Sequence, residues 1–225
     1  MSKGKWLIVL GVALVVIDQV IKVLVKTNMA LGDHFDVFGD WFKIYFIENE
    51  GMAFGMKFGG WVGKLLLSLF RIALFSVLVW WINRLCKRKD VPTGVLVGLT
   101  LITAGALGNI FDCFFYGLIF SESLPGVVSE FGGHYAPFLF GKVVDMFYFP
   151  LIVTTYPDWF PINAGKEFIF FSPVFNFADA CISVSVVLVF LFYRNELETI
   201  NTVFKRSEKL AQNDEDVRGD KENNE

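Results

Sequence analysis

Four long apolar segments restrict what this chain can fold into. They cover residues 6–25, 62–82, 94–114 and 174–193. About 20 mostly apolar residues are enough for an α-helix to cross a lipid bilayer. With 54% hydrophobic residues in 225, the chain is also too apolar for an ordinary soluble domain. The sequence therefore predicts an all-α membrane protein with four transmembrane helices.

The first apolar segment shares one feature with secretory signal peptides, because Lys3 and Lys5 precede it. It is longer than such a peptide, contains Asp18 and Lys22, and has no small-x-small cleavage site after it. We therefore expect an uncleaved first transmembrane helix.

Basic residues predict the orientation of the helices, since Lys and Arg concentrate in cytoplasmic loops. Four basic residues lie at 84–89, between the second and third segments, and others flank the first and last segments. The loop after the first segment is rich in acidic residues. We expect both termini in the cytoplasm and the loops at 26–61 and 115–173 outside.

The domain organisation follows from the same pattern. Residues 1–203 are expected to form one four-helix domain, and residues 204–225 a charged, disordered cytoplasmic tail with no aromatic residue after Phe204. Residues 42–46 alternate between apolar and polar types, which predicts a short strand in the first outer loop.

Two aspartates, Asp145 and Asp179, lie in strongly apolar sequence, Val-Val-Asp-Met-Phe and Phe-Asn-Phe-Ala-Asp-Ala. A carboxylate in or near hydrocarbon is costly, so it is by default a functional-site hypothesis. Two converging carboxyl groups could share a proton and activate water, which is peptide-bond chemistry without a metal. Asp145 could instead be an ordinary loop residue, and Asp179 a charge favoured by a helix N-terminus.

The remaining polar residues of the apolar segments are predicted to lie at one depth, near the outer surface. Asp18 and Lys22 are four residues apart and share one helical face, and Asn-x-x-Asp occurs at both 109–112 and 176–179. Simpler roles also fit these residues. The first pair could be only an intrahelical ion pair, the motif at 109–112 could be a helix-packing contact, and Arg71 could snorkel or pair with a carboxylate.

Motifs of soluble enzymes are missing from the sequence. It contains no Gly-x-Ser-x-Gly, no His-Glu-x-x-His and no phosphate-binding glycine loop. Its three cysteines have no metal-binding or redox spacing, and no basic–aromatic patch suggests nucleic-acid binding. We expect no metal, no cofactor and no nucleic-acid partner.

Five short blocks occur in order along the chain. They are Asp18-Gln19-x-x-Lys22, Asn49-x-Gly51-x-Ala53-Phe54-Gly55, Gly105-Ala106-x-Gly108-Asn109-x-x-Asp112, Val143-Val144-Asp145 and Phe175-Asn176-x-Ala178-Asp179. Together they resemble the bacterial lipoprotein signal peptidases (signal peptidase II). The resemblance implies an aspartic endopeptidase of the bacterial cytoplasmic (inner) membrane, with its site near the outer leaflet. It also implies four transmembrane helices and a small extracytoplasmic β-element between helices 1 and 2.

The resemblance also implies the substrate and the site residues. The family removes the signal peptide of a prolipoprotein, cleaving just before a cysteine already modified with diacylglyceryl, so the expected partners are such precursors and membrane lipids. We expect a monomer. By position, Asp145 and Asp179 become the catalytic pair. Residues that support the site or contact substrate become Asp18, Lys22, Asn49, Gly51, Asn109, Asp112, Asn176 and Ala178.

The chain departs from the family pattern in three places. Cys113 stands where the family usually has Arg, so a polar contact is lost or supplied by another residue, for which Arg71 is a candidate. Ser183 replaces a usual glycine, and residues 116–142 resemble an insertion in an outer loop.

Two other classes of function remain as alternatives. A small proton- or ion-coupled carrier is one, because membrane carboxylates often form proton relays, although four helices without inverted repeats argue against it. The other is a non-catalytic membrane scaffold that uses Asn and Asp for helix packing.

Overall fold

The structure is a computed structural model. It describes residues 2–50, 60–157, 159, 165–170 and 173–196. The predicted tail at 204–225 lies outside the described residues, as does most of the glycine-containing block that follows Asn49. Each of the four predicted segments forms a helix long and apolar enough to cross a membrane, which confirms that part of the sequence prediction. The helices are α1 (Lys3–Asn28), α2 (Gly60–Cys86), α3 (Thr93–Ile119) and α4 (Phe177–Glu196).

Helix α3 is the central helix of the bundle. In its most apolar 18-residue stretch 61% of the residues are buried, against 22% or less in the other three helices. The other helices expose large apolar side chains such as Val16, Phe70 and Phe190, as expected for surfaces that face lipid. Small residues on α3 allow close packing, since an added Cβ at Gly105 would lie 2.4 Å from the Ala178 carbonyl oxygen of α4.

The last turns of α3 change their hydrogen-bonding pattern. Residues Asp112–Tyr116 form a π-helical segment, and a short α-helical turn at Gly117–Ile119 ends the helix. Such π-helical segments occur often at functional sites because they redirect a few side chains within a helix. Here the segment begins with one of the buried aspartates, Asp112.

An antiparallel sheet covers the end of the bundle where α1 and α3 end and α4 begins. The described residues form the strands β1 (His34–Phe38), β2 (Phe42–Asn49), β3 (Val143–Tyr148), β4 (Ile152–Thr155), β5 (Glu167–Phe170) and β6 (Val174–Phe175). The strand order in the sheet is β1-β2-β3-β6, and β4 and β5 form a separate two-stranded ladder. The strand predicted at 42–46 is β2, which runs three residues further.

Two details of the sequence prediction are wrong. The β-element is not confined to the segment between the first two helices, because β3 and β6 come from the segment between α3 and α4. The fourth helix does not begin at 174, because Val174 and Phe175 pair with Tyr148 and Phe147 of β3 before the helix starts at Phe177. Apolar character alone did not distinguish a short strand from a helix start.

Strands β2 and β3 present two different faces, since side chains alternate along a strand. Phe46 of β2 and Val144 and Met146 of β3 belong to a hydrophobic cluster with Val25 of α1 and Tyr116 of α3. Asp145 lies on the opposite face of β3, where it pairs in register with Ile47. The sheet is thus anchored to the ends of α1 and α3 by one face, and Asp145 on the other face contacts Asn176 at the start of α4.

Candidate active site

Strand β3 places Asp145 at the junction of the sheet and the helices. The side chain is 1% exposed. Its Oδ1 accepts a hydrogen bond of 2.7 Å from Asn176 Nδ2, and its Oδ2 accepts one of 3.2 Å from Asn49 Nδ2. The alternative of an ordinary loop aspartate is excluded, because the residue is both in a strand and buried.

Asp179 lies in the first turn of α4. A helix that began at 174, as the sequence predicts, would place Asp179 beyond the first turn, but the helix begins at Phe177. Asn176 caps the helix, since its Oδ1 accepts a 2.9 Å hydrogen bond from the Asp179 backbone N–H. Asn109 Nδ2 of α3 donates a 2.8 Å hydrogen bond to Asp179 Oδ1. The carboxyl group is therefore held both by its own helix start and by α3.

The two aspartates are connected through two side-chain amides. Asn176 Nδ2, which donates to Asp145, also lies 3.2 Å from Asn109 Oδ1, and Asn109 donates to Asp179. The order Asp145–Asn176–Asn109–Asp179 forms a continuous path from β3 to α4. Both Asn-x-x-Asp motifs of the sequence contribute an amide to this path.

Lys22 contacts one of the two amides and forms ion pairs with two further carboxylates. Its Nζ is 2.9 Å from Asp18 Oδ2 and 2.8 Å from Asp112 Oδ2, and it donates a 2.9 Å hydrogen bond to Asn109 Oδ1. All three charged groups are buried, so each needs this pairing to avoid a large desolvation cost. Asp18 and Lys22 thus form an intrahelical ion pair, and Lys22 also contacts the amide path through Asn109.

Asp18 and Asp112 also tie neighbouring elements to the cluster. Asp18 Oδ1 accepts a 2.9 Å hydrogen bond from the backbone N–H of Ala178, which joins α1 to the start of α4. Asp112 Oδ2 accepts a 3.3 Å hydrogen bond from the Val144 N–H, which joins α3 to β3. Ala178 itself is buried. Gly51, the remaining candidate, lies outside the described residues.

Gln19 belongs to the same cluster, although it was not among the candidate site residues. Its Nε2 donates to Asp112 Oδ1 at 2.9 Å and to Asp18 Oδ2 at 3.1 Å, and its Oε1 accepts from Tyr116 Oη at 3.1 Å. It occupies the second position of the first block, directly after Asp18. Its position next to Asp18 in that block could have identified Gln19 as a site residue.

Arg71 of α2 reaches the residue that follows Asp112. Its Nη1 lies 3.3 Å from Cys113 Sγ, so a guanidinium stands beside the position where the family pattern has arginine. The Gly141 N–H donates a 2.9 Å hydrogen bond to the Cys113 carbonyl oxygen. Arg71 therefore lies next to the site, where the sequence predicts a replacement for the polar contact of the family's arginine.

The electrostatics of Asp145 suit acid–base chemistry near neutral pH. Burial raises the pKa of Asp145 to about 7, and the nearby Asp179 adds to that rise. Hydrogen bonds from Asn176 and Asn49 and the charge of Lys22 act in the opposite direction, because they stabilise the ionised form. Over the described residues, no group of three or more His, Cys, Asp or Glu side chains is arranged to hold a metal ion.

The sequence of this chain is similar to those of known bacterial proteins. The family model described as signal peptidase (SPase) II matches residues 10–194. A lipoprotein signal peptidase from Porphyromonas gingivalis is 47% identical over 195 residues, covering 86% of this chain and 84% of that protein. One from Amoebophilus asiaticus is 37% identical over 202 residues, covering 88% and 82%.

The fold also resembles solved structures. A bacterial membrane enzyme solved by the in meso method is 25% identical, with a TM-score of 0.55 and coverage of 84% of this chain and 94% of the other. A second bacterial membrane enzyme has the same TM-score at 23% identity and covers 83% of this chain, which supports the fold.

Proposed function

Since this chain belongs to the signal peptidase II family, an aspartic peptidase family, we propose that Asp145 and Asp179 are its catalytic pair. The enzyme removes the signal peptide from diacylglyceryl-modified prolipoproteins and cleaves just before the lipidated cysteine. The observation that carries the assignment of the pair is the amide path that links Asp145 to Asp179. The alternative of a proton- or ion-coupled carrier is not supported by the comparisons.

In the proposed mechanism one carboxyl group acts as the general base and the other as the general acid. Asp179 takes a proton from a water molecule, whose oxygen attacks the scissile carbonyl carbon, while protonated Asp145 donates its proton to the carbonyl oxygen. The resulting tetrahedral intermediate collapses when Asp145 takes back that proton and Asp179 protonates the departing amine nitrogen. Asp145 is assigned as the initial acid because it is the more deeply buried of the two.

The supporting residues have defined tasks in this proposal. Asn49 and Asn176 orient the Asp145 carboxyl group, and Asn109 orients that of Asp179. Lys22 holds Asn109 and forms an ion pair with each of Asp18 and Asp112, which reduces the negative charge next to the pair. These contacts preorganise the site before substrate binds.

We infer the membrane placement from the basic residues and the site together. The basic loop at 84–89 and both termini face the cytoplasm, which puts the sheet and the aspartates at the outer leaflet of the inner membrane. A precursor whose signal peptide spans the bilayer would present its lipidated cysteine at that level. The partners are such precursors and the surrounding lipids, and the enzyme acts as a monomer.

Replacing either aspartate with asparagine tests the assignment. Asp145→Asn and Asp179→Asn preserve shape but cannot exchange a proton, so each is expected to lower kcat by at least about 1,000-fold. The measurement is cleavage of a diacylglyceryl-modified precursor by purified full-length protein, followed as the release of signal peptide.

The matched control is Asp36→Asn. Asp36 lies on β1, its side chain is half exposed, and it pairs with Lys43 at 2.9 Å, away from the amide path. This variant should cleave at the parental rate. Normal cleavage by folded Asp145→Asn or Asp179→Asn would contradict the assignment, and ion transport by the unmodified protein without cleavage would favour the carrier.

A further inference from the structure

A second buried charged cluster lies one helical turn beyond the proposed site. It consists of Lys26 of α1, Glu48 of β2 and Ser123, and it is called the strand clamp below. Lys26 Nζ contacts Glu48 Oε1 and donates a 2.7 Å hydrogen bond to Ser123 Oγ. Ser123 Oγ in turn lies 2.8 Å from Glu48 Oε1. The three side chains form a closed triangle that joins three separate segments of the chain.

The side chains of the strand clamp are almost fully buried. The side chain of Lys26 is 0% exposed and that of Glu48 is 3% exposed. Lys26 also lies over the rings of Phe120 and Tyr135, at 5.4 and 5.2 Å from their centroids. An ion pair so deeply buried costs much desolvation energy, and apolar residues of similar size would often serve stability equally well. Its presence here suggests that it fixes a particular geometry.

The strand clamp fixes the last two residues of β2, Glu48 and Asn49. Glu48 and Asn49 are consecutive, so their side chains point to opposite faces of the sheet. Glu48 enters the strand clamp, while Asn49 Nδ2 donates to Asp145 Oδ2 at 3.2 Å. Fixing Glu48 on one face therefore fixes the direction of Asn49 on the other.

The ladder between β2 and β3 is interrupted just before this end of β2. The register shifts between Ile44 and Ile47, and pairing resumes at Ile47 and continues through Glu48 and Asn49. An irregularity of this kind redirects side chains. The strand clamp adds a side-chain anchor to the short run of backbone pairs that follows it.

Helix α1 supplies the anchor and connects it to the site. Asp18, Lys22 and Lys26 follow one another at intervals of four residues and share one helical face. Lys22 binds Asn109 in the amide path, and Lys26 binds Glu48. A single helical face thus positions both sides of the proposed site.

We propose that the strand clamp is a positioning device for catalysis, which holds Asn49 in place to orient the Asp145 carboxyl group. It also gives residues 116–142, the segment that contains Ser123, a role in building the site. The inference rests on the proposed role of Asp145. Lys26, Glu48 and Ser123 are positioning residues that act through Asn49.

The test compares Glu48→Gln, Asn49→Ala and the double variant in the full-length enzyme with a lipidated precursor. Asn49→Ala is expected to lower kcat about tenfold and Glu48→Gln about fivefold, both with unchanged KM, because orientation affects the chemical step. The double variant should be no slower than Asn49→Ala alone. A merely structural role would reduce the yield of folded protein without this dependence on Asn49.

Glu122→Gln is the matched control. Glu122 is 58% exposed and lies 3.7 Å from Lys142, a residue whose Nζ is also 3.5 Å from Glu48. It does not contribute to the strand clamp, so kcat should not change. If Glu48→Gln does not fold, Ser123→Ala takes its place under the same criterion.

Any of three results would overturn the inference. In the first, the rate losses of Glu48→Gln and Asn49→Ala multiply. In the second, folded Glu48→Gln keeps its full kcat. In the third, Asn49→Ala has no effect, which removes the contact through which the strand clamp acts. Each of these results leaves the catalytic assignment to be judged separately, by loss of cleavage in Asp145→Asn.

Discussion

At the scale of single residues, the side-chain amides of Asn109 and Asn176 each accept a hydrogen bond through oxygen and donate one through nitrogen. Asn176 accepts from the Asp179 N–H and donates to Asp145, while Asn109 accepts from Lys22 and donates to Asp179. Each carboxyl group therefore meets an N–H donor, and neither amide can rotate without losing a partner. A carboxylate in place of either amide would add a further negative charge beside the proposed catalytic pair.

The pH dependence of cleavage is the prediction that belongs to a single residue. With the pKa of Asp145 near 7, its carboxyl group holds a proton below that pH and loses it above. The proposed mechanism starts with Asp145 protonated, so kcat should fall as pH rises through about 7. The measurement is kcat at saturating precursor between pH 5 and pH 9, at intervals of about half a unit.

The Asn49→Ala variant tests the direction in which the pH profile moves when the pKa of Asp145 changes. The Asn49 hydrogen bond stabilises ionised Asp145, so its loss should raise the pKa further and move the fall in kcat to higher pH. The charged groups that face Asp145, Asp179 of α4 and Lys22 of α1, are unchanged in this variant. Asn28→Ala, which removes an exposed amide at the end of α1, should leave the profile in place. A shift to lower pH would contradict the assignment of Asp145 as the acid.

At the scale of secondary-structure elements, the sequence predicted the helices better than the sheet. Lipid imposes a long, uniformly apolar pattern on a helix, which can be read directly. Strand β3 has only six residues, and its pairing with β2 joins Asn49 to Val143, which are far apart in sequence. Spacing therefore could not bring Asp145 to Asp179, and only the family resemblance did so.

The same reasoning explains which site residues were missed. Asp18 and Lys22 lie on one helix at a regular interval, so they could be recognised from spacing. Lys26 and Glu48 both fall in the range 26–61 that the sequence predicts as an outer loop. They lie on different elements, and their contact depends on how β2 folds back onto α1. Contacts between distant elements are set by tertiary packing, which local pattern does not record.

The packing of α3 against α4 gives a prediction at this scale. An added Cβ at Gly105 would lie 2.4 Å from the Ala178 carbonyl oxygen, so Gly105→Ala must push the backbone of α4 away. This should destabilise the protein by about 1–3 kcal/mol. It should also reduce kcat, because Asn109 and Asp179 lie on the two helices that separate. Thermal unfolding in detergent and the cleavage assay measure the two effects.

Gly11→Ala is the matched control, another glycine to alanine change within a transmembrane helix. An added Cβ there would lie 3.5 Å from Thr100 Cγ2, an ordinary contact. Unchanged activity and stability are expected, or a small gain, since alanine favours helix over glycine. If Gly105→Ala behaved in the same way, the close approach of α3 and α4 would not be needed for the site.

At the scale of the whole molecule, the site lies where the helix bundle meets the sheet. Three helices contribute charged or amide groups, and the sheet contributes Asp145 and Asn49. Water needed for hydrolysis can approach only near the bilayer surface, whereas the lipid-facing sides of the helices are apolar. The arrangement therefore requires a fixed orientation of the protein in the membrane.

That orientation can be measured by labelling single cysteines from outside. After Cys86, Cys113 and Cys181 are replaced, a cysteine is introduced at Asp36 of β1 or at Lys87 after α2. Because cytoplasmic loops carry the basic residues, a membrane-impermeant maleimide should label the Asp36→Cys protein in intact cells. It should label the Lys87→Cys protein only after the membrane is permeabilised.

Cleavage of the precursor by each cysteine variant serves as the control for folding. Labelling of Lys87→Cys in intact cells, with Asp36→Cys protected, would reverse the proposed orientation. The sheet and both aspartates would then face the cytoplasm, and a precursor lipidated at the outer leaflet could not reach them. The proposed substrate therefore requires the proposed orientation. The amide path that links Asp145 to Asp179 does not depend on either.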